Sequence, residues 1–244
     1  MKKIHIITPV KDSIELTLQT LEAVTSSRFT IPYTYTVYND YSTPENTKIL
    51  KEASERLGFT LVNLEDITDH PSPNYLLVLQ IAQEKAIEEE AALCIVESDV
   101  TVKPDTLQTL FDETLQRPDC GMSAAITTDA EGIINYPYLY AQEGGNSDFS
   151  TEECLSFCCT ILSLPFLQKY SFNQLNPAKD WHDAVLTKVS LKLAFRNYLF
   201  PHLPVLHSPH GSRPWRKFKE KNLFKYYLYK FTGRRHKMVD PSSN

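Results

Sequence analysis

The feature that most limits how this chain can fold is the regular switch between two apolar patterns. Continuous runs of strand length, rich in β-branched residues, alternate with stretches whose apolar residues recur every three or four positions. Lys3 to Thr8, KIHIIT, reads as a first strand stopping at Pro9, and Asp12 with Glu15 then makes a capping box before Ile14, Leu18 and Leu21 at helical spacing. Tyr33 to Asn39 is a second strand. Thr43 and Pro44 supply an N-cap and first helical residue, Ile49, Leu50, Ala53 and Leu57 one apolar face, and Gly58 the stop. Phe59 to Leu64 is a third strand, Asn74 to about Glu90 a long helix, and Leu93 to Val96 a fourth strand. Pro104 opens a helix with Leu107, Leu110, Phe111 and Leu115 on one side. Strands and helices alternating in this way predict βαβ units, hence an α/β domain with a mostly parallel central sheet and helices on both faces.

After Pro118 the rhythm loosens. Gly121 to Ile126, Ile133 to Tyr138 and Cys154 to Leu164 read as strands, Gln142 to Ser150 as a polar loop and Pro165 to Tyr170 as a short helix. Asp180-Trp181-His182-Asp183 begins a helix whose apolar face is Val185, Leu186, Val189 and Leu193. Pro204 to Leu206 closes the sheet region. The 244 residues suffice for one large domain or two small ones, and a 42% hydrophobic content with a net charge of −5 favours neither disorder nor general nucleic-acid binding. Charge is uneven, however. From Gly211 onward ten Lys or Arg stand against Glu220 and Asp240, a net of +8 that leaves −13 for the first 210 residues. The predicted organisation is a domain over 1–210 and a basic, aromatic, helical extension over 211–244 that faces an anionic partner.

Five cysteines, an odd number without paired CxxC spacing, and the lack of a signal peptide fit a reducing cytoplasm. Cys154, Cys158 and Cys159 lie in an apolar run, CLSFCCTILSL, so buried thiols are favoured over a metal group. No apolar run is long enough to cross a bilayer.

The strand ends carry the chemistry. Thr8, Asn39-Asp40 and Glu97-Ser98-Asp99 all fall at carboxyl ends, the edge where α/β sheets bind ligands. Glu97 and Asp99, two apart on an extended backbone, would face one side, and hard cations take such carboxylates together with diphosphate oxygens. The alternative is an acidic turn before Pro104. Likewise Asp183 is either a general base or a helix cap. No GxGxxG follows a strand, which disfavours a dinucleotide site.

In order and spacing these residues resemble a family 2 glycosyltransferase of the GT-A fold, over nearly the whole chain to about Gly211. Ile6-Ile7-Thr8-Pro9-Val10-Lys11-Asp12 is similar to the family's opening strand and turn, and Val37-Tyr38-Asn39-Asp40-Tyr41-Ser42-Thr43 to its Val-Val-Asp-Asp-Gly-Ser-Thr. Glu97-Ser98-Asp99 stands at its Asp-X-Asp, followed by the typical Lys103-Pro104-Asp105-Thr106-Leu107. His182-Asp183 matches its Glu-Asp pair, and His207 its closing His.

The resemblance implies an inverting transfer from a nucleotide-sugar, with a UDP-sugar favoured, to a glycan or lipid-linked hydroxyl in surface polysaccharide synthesis. It implies that Thr8, Pro9 and Asp40 line base and ribose, with Asn39, Glu97 and Ser98 on the nucleotide side. Asp99 and His207 would meet Mn²⁺ or Mg²⁺, and Asp183 would be the base, with Asp180 the alternative. Four departures bear on this. Asn39 replaces Asp, Tyr41 stands where Gly is usual and predicts a less tight turn, Glu97 replaces Asp, and His182 replaces Glu. Those at Asn39, Glu97 and His182 keep open a catalytically silent sugar-nucleotide or partner-binding module. Beyond the resemblance, Arg213 and Arg216 could reach the diphosphate as a lid, and Lys217 to Lys237 either lies on an anionic bilayer or packs as a helix.

Overall fold

The computed structural model describes residues 3–144, 148–178 and 181–209 and the separate positions 222, 223, 225 and 227. Two compact units divide the chain, Met1–Leu175 with Trp181–Ser208, and Asn176–Asp180 with Pro209–Asn244.

The larger unit holds nine strands and six α-helices among the described residues. In chain order they are β1 (Ile4–Val10), α1 (Ile14–Thr25), β2 (Tyr33–Asn39), α2 (Pro44–Leu57), β3 (Thr60–Asn63), α3 (Tyr75–Glu88), β4 (Ala92–Val96) and β5 (Val100–Thr101). Then come α4 (Thr106–Leu115), β6 (Cys120–Thr128), β7 (Ser150–Thr151), β8 (Cys159–Leu162), α5 (Leu164–Lys169), α6 (His182–Lys192) and β9 (Arg196–His207). They form one sheet in the order β3-β2-β1-β4-β8-β6-β9-β5, with β7 on β9. The longest ladders, β1 with β2 and β6 with β9, are parallel, whereas β8 runs antiparallel between β4 and β6.

Period-two alternation sends the strand side chains to two cores. Ile4 and Ile6 of β1 and Cys94 and Val96 of β4 pack with Leu21, Leu50 and Phe111, whereas Ile7, Leu93 and Ile95 pack with Val78, Leu79, Phe166 and Leu186 on the opposite face. Helices therefore cover both faces, and each fully enclosed Leu, Ile or Phe contributes about 1.5–3 kcal/mol.

Several expectations need correcting. β1 continues through Pro9 to Val10, because its ladder with β4 has already ended at Ile7 and a missing N–H costs nothing on that side. Asp12 does not cap α1. With Asp12 and Ser13 at φ 52° and 49°, the Asp12 carboxylate turns across to the next helix and accepts from Thr43 N and Asn46 Nδ2. α2 starts and stops as its sequence predicts, with the Thr43 hydroxyl accepting from Asn46 N, Pro44 opening it and Gly58 at φ 78°.

Ile133 to Tyr138 is not a strand. Apart from one bridge, Thr128 to Ile134, it is a turn held by Asp129, whose Oδ1 accepts from Glu131 N and Ile133 N. Of Cys154 to Leu164 only Cys159–Leu162 is strand, since side chains satisfy the backbone before it. The Tyr138 hydroxyl bonds both N–H and C=O of Ser156, and Thr187 Oγ1 accepts from Leu155 N. On α6 only Leu186 of the predicted apolar face is fully enclosed; Val185, Val189 and Leu193 pack half-buried.

In the smaller unit positions 223, 225 and 227 are helical, with Leu223 and Tyr227 exposed, and Lys225 N donates to Asn222 Oδ1. Asp180, Arg213, Arg216 and most of Lys217 to Lys237 lie outside the described residues. Among the described residues no helix is long and apolar enough to cross a membrane.

Candidate active site

Three chain crossings bring Glu97, Asp99, Cys158 and His207 together at one edge of the sheet. β4 ends at Val96, and Val100 N closes a turn onto the Glu97 carbonyl at 3.1 Å, so the two carboxylates project from a turn and not from the extended backbone expected. β8 begins beside it, with Cys159 opposite Val96 and Glu97 N bonded to the Cys158 carbonyl at 3.0 Å. β9 returns from the far side and pairs His207 with Val100, while Ser208 N donates to the Asp99 carbonyl.

The side chains converge accordingly. The Cys158 thiol donates to Glu97 Oε2 at 3.4 Å, His207 Nε2 lies 3.6 Å from Asp99 Oδ2 and 4.0 Å from Cys158 Sγ. Ligand atoms of Glu97, Cys158 and His207 all lie within 4.8 Å of one another, which is the size of a cation site. His207 Nδ1 faces the Tyr136 carbonyl at 2.7 Å and donates to it. That tautomer aims Nε2 at the carboxylates, the orientation a metal-ligating histidine takes from its second nitrogen. Burial pushes the imidazole pKa down, but Asp99, the Tyr136 carbonyl and Glu97 outweigh it, so it stands above the ordinary value. A positive charge at Nε2, proton or cation, is what this pocket favours.

Asp183 opens α6, its Oδ1 accepting from Ala184 N at 2.7 Å. What ties it to Glu97 and Asp99 is Tyr75, the first residue of α3. Its ring is stacked near Phe157 and His182, with centroids 6.2 and 6.5 Å away. Its buried hydroxyl has no hydrogen-bond partner among the described residues. Burial first, then the charges of Glu97, Asp183, Cys158 and Asp99, hold its pKa well above the ordinary value, so it remains a protonated donor.

Around β2 the predicted nucleotide residues are engaged by the protein itself. Thr8 is fully enclosed, its hydroxyl 2.9 Å from the Tyr35 hydroxyl, which places it beneath the rim rather than on it. Pro9 is half-buried. Asn39 Nδ2 donates to Thr47 and Asn63, and its Oδ1 accepts from Ser42 N, a set that an aspartate could not make. Asp40 accepts from Ser72 Oγ, Asn74 N and Asn74 Nδ2, which fixes the residue just before Tyr75. Tyr41 adopts φ 58°, the conformation a glycine would take, so the turn keeps its tightness; its hydroxyl bonds the Thr68 carbonyl. Ser98 is buried in the turn between Glu97 and Asp99.

The structure thus brings Glu97, Asp99 and His207 into one cluster and puts Asp183 near enough for its charge to act on the Tyr75 phenol, as those of Glu97 and Asp99 do. The sequence missed Tyr75, which no motif marks. Of the three thiols expected to be buried, Cys158 and Cys159 are, Cys154 is exposed, and Cys158 in addition borders the acidic cluster, which the sequence did not indicate.

The sequence matches no protein-family profile, and no curated protein matches it in sequence. Its structure is similar to that of the mannosyltransferase PcManGT from Pyrobaculum calidifontis in complex with GDP-Man and Mn²⁺, at 13% identity and a TM-score of 0.65 over 94% of this chain and 64% of that one. It is similar to S. aureus TarS in complex with UDP-GlcNAc, at 14% identity and 0.65 over 97% and 70%. It also resembles GalNAc-T7 with UDP, GalNAc and Mn²⁺, at 9% identity and a TM-score of 0.63 over 98% of this chain and 51% of that one.

The chain spans 64% of the mannosyltransferase and about half of GalNAc-T7, and at such identities the likeness is one of fold. The fold of this chain is the GT-A fold of nucleotide-sugar-dependent glycosyltransferases.

Proposed function

We propose that the chain is a glycosyltransferase of the inverting, family 2 type, moving a sugar from a nucleotide-sugar, with a UDP-sugar favoured, to a hydroxyl of a glycan or lipid-linked acceptor in surface polysaccharide synthesis. The observation that carries this reading is the convergence of Glu97, Cys158 and His207 in a cation-sized cluster, with Asp99 3.6 Å from His207 Nε2 and the charge of Asp183 felt at the same Tyr75 hydroxyl as those of Glu97 and Asp99.

The donor set fits a divalent cation, Mn²⁺ or Mg²⁺, through the Glu97 and Asp99 carboxylates and His207 Nε2. When bound, it would neutralise charge developing on the diphosphate leaving group. The chain's own residues do the rest. The Tyr136 carbonyl holds His207 in one tautomer, and the turn closed at Val100 fixes both carboxylates. Asp183, oriented by Ala184 N, would accept the acceptor hydroxyl's proton as that oxygen attacks. Only one carboxylate is needed for proton transfer, because the leaving group departs without protonation. Asp40, through Asn74, sets the start of α3 and so the position of Tyr75.

The reading places the protein in the cytoplasm, with the basic extension meeting the inner membrane face. The test is turnover of a nucleotide-sugar panel with Mn²⁺. Release of free sugar that is lost in Asp99→Asn and Asp183→Asn supports the enzyme; tight nucleotide binding with no sugar release identifies a silent binding module.

A further inference from the structure

We propose that Cys158 is itself a ligand, so that the cation site is a mixed oxygen, nitrogen and sulfur site selecting thiophilic divalent cations, such as Zn²⁺ and Co²⁺, over Mg²⁺. This rests on the cation site put forward above and names its chemical preference.

The argument is geometric. Cys158 Sγ lies 3.4 Å from Glu97 Oε2 and 4.0 Å from His207 Nε2, and Nε2 lies 3.6 Å from Asp99 Oδ2. With metal–donor bonds of about 2.0–2.3 Å, donors around a tetrahedral cation are separated by roughly 3.3–3.8 Å, close to this spacing. The sulfur is also held in place. The Cys158 carbonyl accepts from Glu97 N, which fixes the backbone beneath the thiol, and contacts of Sγ with Ser156 Oγ and Glu97 Oε2, each at 3.4 Å, hold the side chain itself. Enclosure at 1% exposure keeps it from solvent. A thiol among carboxylates and an imidazole shifts preference from hard toward borderline cations, and on binding it gives up its proton to solvent.

The test is a Co²⁺ titration of the full chain after chelator treatment. A sulfur-to-cobalt charge-transfer band in the near ultraviolet is expected, retained in Cys154→Ser, which removes the exposed thiol, and lost in Cys158→Ser. Zn²⁺ affinity should fall at least about tenfold in Cys158→Ser while Mn²⁺ affinity changes far less. Visible cobalt bands without the sulfur band, or a sulfur band surviving in Cys158→Ser, would overturn the proposal. The wild-type spectrum decides even where the variant does not fold. A chain that binds nucleotide-sugar and Co²⁺ without sulfur character overturns this inference alone, whereas one that binds neither overturns the transferase reading as well.

Discussion

His5 shows how much one enclosed residue can set. It has no exposed surface, its Nδ1 lies 2.7 Å from the Thr34 hydroxyl, and its buried Nε2 has no partner among the described residues. Burial, only partly offset by Glu89, lowers its pKa from 6.5 to about 4. Between those values the unfolded chain binds a proton that the fold refuses. Stability is therefore complete above the unfolded pKa and falls with pH through the window, by up to roughly 3 kcal/mol. Urea midpoints on either side of that window should show a smaller pH dependence in His5→Gln than in the wild type; equal slopes would contradict the assignment. Asn39 is the second case. Restoring the family's carboxylate with Asn39→Asp removes both donors to Thr47 and Asn63, and should destabilise by about 2 kcal/mol in urea unfolding.

At the scale of elements, positions are set by contacts between neighbours. The Asp12 carboxylate ties the loop after β1 to the first turn of α2, so Asp12→Ala should cost about 1 kcal/mol in thermal or urea unfolding. A larger effect is expected at Gly121 of β6. A Cβ there would lie 2.0 Å from Ser190 Oγ and 2.8 Å from Phe195 Cβ, so β6 packs directly on the end of α6. Gly121→Ala should cost about 1–3 kcal/mol and displace α6, lowering turnover through Asp183 at its other end. Unchanged stability and turnover would show that α6 is free to adjust.

Across the whole molecule, the site joins residues from positions 97 to 207, so its parts should fail differently. Asp99→Asn should abolish the cation-dependent part of donor binding, while Asp183→Asn should keep donor binding and lose transfer, by calorimetry and sugar release. Loss of donor binding in both would mean that Asp183 holds the site together and does not act as base. The sequence by itself determined the βαβ rhythm, both ends of α2, the polar strand ends and the order of Glu97, Asp99, Asp183 and His207, because these rest on local periodicity, capping and spacing. Only the tertiary structure decided that Asp12 braces the first turn of α2, that Asn39 and Asp40 serve the protein's own turns, and that Tyr75 and Cys158 border the acidic cluster. Those outcomes depend on which distant groups satisfy a buried donor or acceptor, and that pairing is fixed by the sheet order and not by any neighbouring residue in the chain.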